Sequence, residues 1–393
     1  MSDPQARPSL RVERELGRRA GVDSGKGTLL VVTAGVHGNE PAGVQALERV
    51  FATLEERGIG VKGELVGLSG NRAALAQRTR FHHTDLNRLW SADDVARLRE
   101  RDPALDHADQ REQRELLGAL ETLLATPRER VALLDLHSTS GGGPPFLVMG
   151  DTLQNRELAF ALGVPVLLGL EENIGGTLIE HVGALGHVAV VLEAGQNEDP
   201  ATIDRHESAV WLALVALGLV ARSDVPDFAL HASRLRAAAS ELPPVVEVLH
   251  RHDIAPEDEQ RFRMVPGLES FQSIERGRLL AHVGTGPDGQ VLAPFAGVLL
   301  MPRYQQKGLD GFFLGRRVEP RWLKLSAVMR RLHLERMLGL LPGVELARAD
   351  GNVLSVDPRI ARFFTTDLFH LLGYRRQEER DRRLVFTRRN DKL

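Results

Sequence analysis

The chain of 393 residues contains no cysteine. That excludes disulfides, thiolate metal sites, iron–sulfur clusters and a cysteine nucleophile. Any metal must be held by histidine and carboxylates. Lysine is almost missing: of 50 basic residues only Lys26, Lys62, Lys307, Lys324 and Lys392 are lysines, so a single arginine means little against this background. Long apolar runs are missing too. The longest, residues 209–221, is too short to span a bilayer and reads as a buried helix. The first 25 residues lack the apolar core of a secretory signal. Net charge is only −3, so no global basic field supports nucleic-acid binding. These absences predict a soluble, cytoplasmic protein without membrane or nucleic-acid partners, and leave homo-oligomerisation open.

What is present alternates. Residues 1–27 read as a polar lead-in. Residues 28–35 form a continuous apolar run, the pattern of a strand buried on both faces. Residues 42–54 follow with helical periodicity, and Pro41 suits a first turn. Further strands are expected at 63–68, 131–136, 146–149 and 188–192, and helices at 111–125, 156–162 and 203–219. This alternation predicts a layered α/β domain over residues 1–225. Residues 226–318 change character. Short apolar runs broken by Gly and Pro suggest a small β-rich module. Residues 319–393 read as an α+β extension, with a helix at 323–340, a second at 358–372 and a hairpin turning at 378–381. This tail carries 16 Lys+Arg against 10 Asp+Glu, so a basic unit follows an acidic body.

The chemistry-bearing residues fall just after apolar strands. One run ends in Gly35-Val36-His37-Gly38-Asn39-Glu40, another in Asp135-Leu136-His137-Ser138-Thr139, and a third in Glu193-Ala194-Gly195-Gln196. In open α/β sheets ligands bind outside the carboxyl ends of strands. If these strands are neighbours, His37, Glu40, His137 and Glu193 converge. A bare H-x-x-E is weak, but two histidines and one carboxylate are a common protein set for catalytic zinc, with a fourth position left to water. The remaining carboxylate, Glu193, would then be a general base. A second polar stretch, Arg80-Phe81-His82-His83-Thr84-Asp85-Leu86-Asn87-Arg88, offers guanidinium forks for a carboxylate.

Taken in order and spacing, Ala34 to Glu40, Asp85-Leu86-Asn87-Arg88, Asp135 to Thr139 and Glu193 to Gln196 resemble the succinylglutamate desuccinylase/aspartoacylase family of zinc carboxypeptidase-like hydrolases. The resemblance spans roughly residues 25–315. It implies a three-layer α/β/α sandwich around a central mixed, mostly parallel sheet, and one zinc ion (Zn2+) per chain, held by His37, Glu40 and His137. It implies Glu193 as general base and then acid, and Arg80 polarising the scissile carbonyl. Asn87 and Arg88 would hold the carboxylate of a small-molecule substrate, with Tyr304 as a positional candidate from the β-rich module. The implied reaction is hydrolysis of an N-acyl amide. Residues 179–186, where that family places a further substrate-binding arginine, contain none. This puts N-acetylaspartate or N-succinylglutamate in doubt as the substrate. Two rivals stand beside the deacylase reading: a metallocarboxypeptidase-like peptidase or esterase, and a non-catalytic binding protein whose basic tail recruits a partner.

Overall fold

The computed structural model of the protein describes residues 12–284, 286, 289–346, 352–357, 359–360, 365–380 and 383–388. Its strands are, in chain order, β1 (Glu15–Ala20), β2 (Leu29–Ala34), β3 (Glu64–Ser69), β4 (Val131–Thr139), β5 (Phe146–Met149), β6 (Val166–Leu168), β7 (Val188–Gln196), β8 (Val245–Asp253) and β9 (Phe262–Met264). They continue as β10 (Ser273–Ile274), β11 (Leu279–Val283), β12 (Gln290–Leu292), β13 (Gly297–Leu300), β14 (Asp310–Arg317), β15 (Val344–Leu346), β16 (Val353–Val356), β17 (Tyr374–Arg380) and β18 (Arg383–Arg388).

Eleven of these strands form one sheet in the order β1-β3-β2-β4-β7-β5-β6-β8-β14-β13-β10. From β3 to β8 every pairing is parallel except β5 on β7. The parallel strands β2, β3 and β4 are buried along their whole length, as continuous apolar runs require. Their side chains alternate between two cores. Leu30, Val32, Leu134 and Leu192 face the helices Ala42–Glu56, Leu153–Leu162 and Pro200–Ala216. Val31, Leu133, Val148 and Val191 face the helices Ala108–Leu124 and Leu178–Ala184. A sheet with a helical layer on each side is the expected α/β/α sandwich.

The segment after residue 225 is rich in strands, and four of them, β8, β10, β13 and β14, extend the same sheet. Only β9, β11 and β12 make a separate small sheet, which shares a core of Phe262, Leu280 and Phe312 with the edge of the large one. In the extension, β15, β16, β18 and β17 form a third sheet around Leu354, Phe369 and Phe386.

Three local expectations need correction. The polar lead-in contains β1, which pairs antiparallel with β3, because an edge strand needs only one apolar side. The helix expected over 323–340 is the helix Pro320–Arg331, then a 3-10 segment Leu334–Leu340. His333 between them sits at φ 53, outside the helical region. The C-terminal hairpin pairs Arg380 with Arg383, so it turns after residue 380 rather than over 378–381. Of the helix expected over 358–372, residues 358 and 361–364 lie outside the described residues, residues 359–360 form a turn, and Thr365–Leu371 is helical.

Candidate metal centre and active site

Strand register assembles the site. His137 stands directly beside Glu193 across the β4–β7 ladder, and Asp135 stands beside Thr33 across β2–β4. Asp135, His137 and Glu193 alternate with residues of the Leu134/Leu192 core, so all three project to the opposite face. His37 and Glu40 follow β2, in the turn before the helix Ala42–Glu56. Gly38 is needed there, because a Cβ would come within 2.1 Å of the Ala74 carbonyl carbon.

The result is a buried cluster. Ligand atoms of His37, Glu40 and His137 lie within 4.8 Å of one another. Both imidazoles turn Nδ1 to the Glu40 carboxylate, His37 to Oε1 at 2.9 Å and His137 to Oε2 at 3.0 Å. Each uses its far nitrogen, Nε2, on another carboxylate: His37 on Asp85 at 3.0 Å and His137 on Asp135 at 2.9 Å. Asp135 also accepts from Thr33 Oγ1 at 2.6 Å. In metal sites, carboxylates placed like these orient the ligating histidines and fix their tautomer. The spacing gives a signal for Asp135, since residues two apart on a strand share a face. Asp85 carries no such signal, because it reaches His37 across a loop.

That loop is itself anchored. The Asp109 carboxylate accepts the backbone N–H groups of His82, His83 and Thr84 at 3.1, 2.6 and 3.0 Å, and the Asn71 amide at 2.8 Å. Burial opposes the Asp109 charge, but these donors hold its carboxyl below the usual range. Sequence reasoning missed Asp109, which lies on a helix remote from every motif.

Electrostatics favour a cation at the centre. Burial works against ionisation of Glu40, yet His37 and His137 outweigh it and hold its carboxyl far below the ordinary value. Burial likewise works against a charged His137, and Asp135 and Glu40 reverse that. Arg80 donates to Asp85 Oδ2 at 3.1 Å and reaches Glu40 Oε1 at 3.5 Å. Burial opposes the Arg80 charge, and Asp85 and Glu40 raise its pKa all the same. Glu193 is different. Burial pushes its carboxyl up to about 7, and its Oε2 is buried without a hydrogen-bond partner. A metal set that prefers positive charge, next to an orphaned carboxylate oxygen, fits a divalent ion with a water beside it.

Beside the cluster lies a cavity lined by Arg80, Asn87, Arg88, Ser138 and Glu193 among others. Asn87 Oδ1 accepts from Leu178 N at 2.9 Å. Arg88 Nη2 pairs with Asp310 at 2.6 Å, and Nη1 donates to the Asn87 carbonyl at 2.8 Å. Tyr304 does not join them. Its hydroxyl is tied to the backbone of Val265 and Leu268 at 2.8–2.9 Å, and its chain neighbours Arg303 and Gln305 line the cavity instead. The expected substrate contact thus has its hydroxyl committed to backbone of the β-rich segment.

Fold and cluster together define a class: an α/β/α domain with a buried imidazole–carboxylate cluster after the strands. Comparison gives the family. Residues 26–215 match the model of the succinylglutamate desuccinylase/aspartoacylase catalytic domain and belong to that family. The succinylglutamate desuccinylase of Pseudomonas syringae pv. tomato is 26% identical over 278 residues, covering 65% of this chain and 73% of the relative. That of Photorhabdus laumondii is 38% identical over 61 residues, 16% of this chain and only 19% of the relative's length. The fold is shared with a succinylglutamate desuccinylase/aspartoacylase from Rhodobacter sphaeroides, at TM-score 0.56 and 18% identity over 77% of this chain and 88% of the other. It is shared also with the succinylglutamate desuccinylase of Vibrio cholerae, at TM-score 0.53 and 18% identity over 76% and 83%. Among the described residues, no helix is long and apolar enough to cross a membrane.

Proposed function

We propose that the protein is a zinc-dependent hydrolase that cleaves the amide bond of a small N-acylated amino acid or a related compound. The observation that carries this reading is Glu193, with a partnerless buried Oε2, in register beside His137 of the His37/Glu40/His137 cluster. His37 and His137 through Nδ1, and Glu40 through its carboxylate, are the residues that would hold zinc. A bound zinc ion supplies carbonyl polarisation and acidifies a water.

The remaining work falls to side chains. Glu193 takes the proton of the attacking water and delivers it to the leaving nitrogen, a role suited to a carboxyl near neutrality. Arg80, held by Asp85, presents a fixed positive charge to the oxyanion that develops on the carbonyl. Asn87 and Arg88 line the same cavity and orient the substrate carboxylate. Arg88 spends two N–H groups on Asp310 and the Asn87 carbonyl, so donors of its five remain.

The deciding experiment is a hydrolysis panel of N-acyl amino acids with zinc-loaded enzyme, alongside peptides and esters. Release of free amino acid from at least one N-acyl compound, abolished by chelation and restored by zinc, is the expected outcome. Cleavage of peptides or esters alone would refute the deacylase reading.

A further inference from the structure

The helix Pro320–Arg331 opens the extension, and its amphipathicity is inverted. Its buried positions are Leu323, Ser326 and Arg330. The Arg330 guanidinium lies 3.5 Å from the Asp151 carboxylate and donates to the Asp151 backbone carbonyl at 2.6 Å. Ser326 accepts from Arg156 at 3.1 Å and donates to the Leu371 carbonyl. Polar bonds therefore fasten the inner side. The outer side is apolar. Trp322, Leu325, Val328 and Leu332 recur at three- and four-residue spacing, so they share one face. They are 45%, 42%, 52% and 64% exposed. A helix that served only the core of its own chain would turn that stripe inward. The 3-10 segment that follows adds Met337 and Leu340, both exposed. Met329 and Leu334, one from each segment, pack on the same core of Leu338 and Phe369, which keeps the two segments together. An apolar surface of this extent marks a site of interaction.

Cations accompany the apolar face. Arg321, Lys324 and Arg331 on the helix and Arg336 after it are all exposed. Among the described residues, Lys324, Arg331 and Arg336 make no ion pair, and Arg321 reaches only Glu319, at 3.6 Å. The whole extension carries 16 Lys+Arg against 10 Asp+Glu. A second copy of this face would set cation against cation, which opposes pairing. An anionic lipid surface meets each of them with opposite charge, while the apolar stripe enters the boundary of headgroups and acyl chains. Tryptophan suits that boundary, with its apolar ring and polar N–H, and Lys and Arg stems reach back to the headgroups. Among the described residues no helix can cross a membrane, so this one lies along the surface.

We infer that the outer face of the helix Pro320–Arg331 docks the protein on an anionic lipid surface. Among the described residues, none of the extension lines the catalytic cavity, so the docking face and the reaction are separate.

The test is co-sedimentation of the full-length protein with two kinds of vesicle, phosphatidylcholine alone and equimolar phosphatidylcholine and phosphatidylglycerol. Each Lys or Arg at an anionic surface contributes about fivefold, so binding to the mixed vesicles should be about 100-fold tighter and should weaken with salt. Trp90 and Trp211 are buried and Trp322 is not, so a blue shift of tryptophan emission on adding mixed vesicles reports Trp322. Leu325→Ser with Val328→Ser should weaken binding at least about tenfold. Lys324→Glu with Arg331→Glu should bring the ratio between the two vesicles to about one. Thermal melting of both variants reports folding, and the wild-type readouts stand without either. Wild type that pellets with neither vesicle, or equally with both, overturns the inference, as does binding that both folded variants retain. Concentration-dependent dimerisation in light scattering, lost in the serine variant and unaccompanied by vesicle binding, overturns it too and assigns the face to a second copy.

Discussion

Asp135 offers the sharpest test of the site, because it touches the metal set only through His137. It is fully buried, accepts from Thr33 Oγ1 at 2.6 Å, and meets His137 Nε2 at 2.9 Å. In Asp135→Asn the amide oxygen can still accept from His137, and the amide NH2 can donate to the Thr33 hydroxyl. Shape and bond count survive, and only the charge is lost. A charge-assisted hydrogen bond contributes roughly twice a neutral one, so the loss is about 1–1.5 kcal/mol. That corresponds to about tenfold weaker zinc binding. Asp135→Ala removes both acceptors and leaves His137 Nε2 and Thr33 Oγ1 unpaired in the core. Its expected loss is about 100-fold, the upper end for partners of this kind. Zinc affinity is measured by chelator competition, and thermal melting of the metal-free proteins reports folding separately. Wild-type affinity in both variants, or tighter binding by the Ala variant than by the Asn variant, would refute the reasoning.

In metal analysis of the purified proteins, wild type should hold about one zinc per chain and His37→Ala less than about a tenth of that, since a catalytic site has three protein ligands to lose from. Equal zinc in the two would remove His37 from the set. Glu193→Gln should keep its zinc yet lose about 10²- to 10⁴-fold in turnover, and undiminished turnover would end its role as base. His206, buried on the helix Pro200–Ala216, is pushed down to about 3 by burial and the nearby His137. A depressed folded pKa means that stability is present above the unfolded value and lost as pH falls below it. Wild type should therefore lose about 2 kcal/mol more than His206→Gln between pH 7 and pH 5 in urea titrations, and parallel losses would contradict this. Asp151 receives Arg156 Nε at 2.7 Å and lies 3.5 Å from Arg330 Nη1, joining the extension to the catalytic segment. Asp151→Ala takes the carboxylate from the buried Arg156 guanidinium and should cost about 3–5 kcal/mol by chemical denaturation, whereas a cost under about 1 kcal/mol would show the seam to be incidental.

Legibility in the sequence followed the range of the interactions. The runs at 28–35, 131–136 and 188–192 mark β2, β4 and β7 within a few residues, because a strand buried on both faces must be apolar throughout. The edge strand β1 and the three-residue β6 leave almost no periodic trace. His37, Glu40, His137 and Glu193 could be singled out because each follows such a run. Asp109 could not, and Asp85, although it heads the second motif, gave no sign of its bond to His37. Their importance lies in contacts with segments distant in the chain, and no local pattern encodes those.

The absence of cysteine and the four ordered motifs were enough to single out a His/Glu cluster with a separate carboxylate beside it in an α/β frame. Composition limits which ligands exist, and strand ends limit where they can gather. Only the tertiary structure decided the rest: which imidazole nitrogen faces inward, which acids stand behind the histidines, that Tyr304 turns away, and that a buried carboxylate sits in the cavity wall. Those outcomes depend on register between strands and on loops closing over the sheet. They are set by packing between residues tens to hundreds of positions apart.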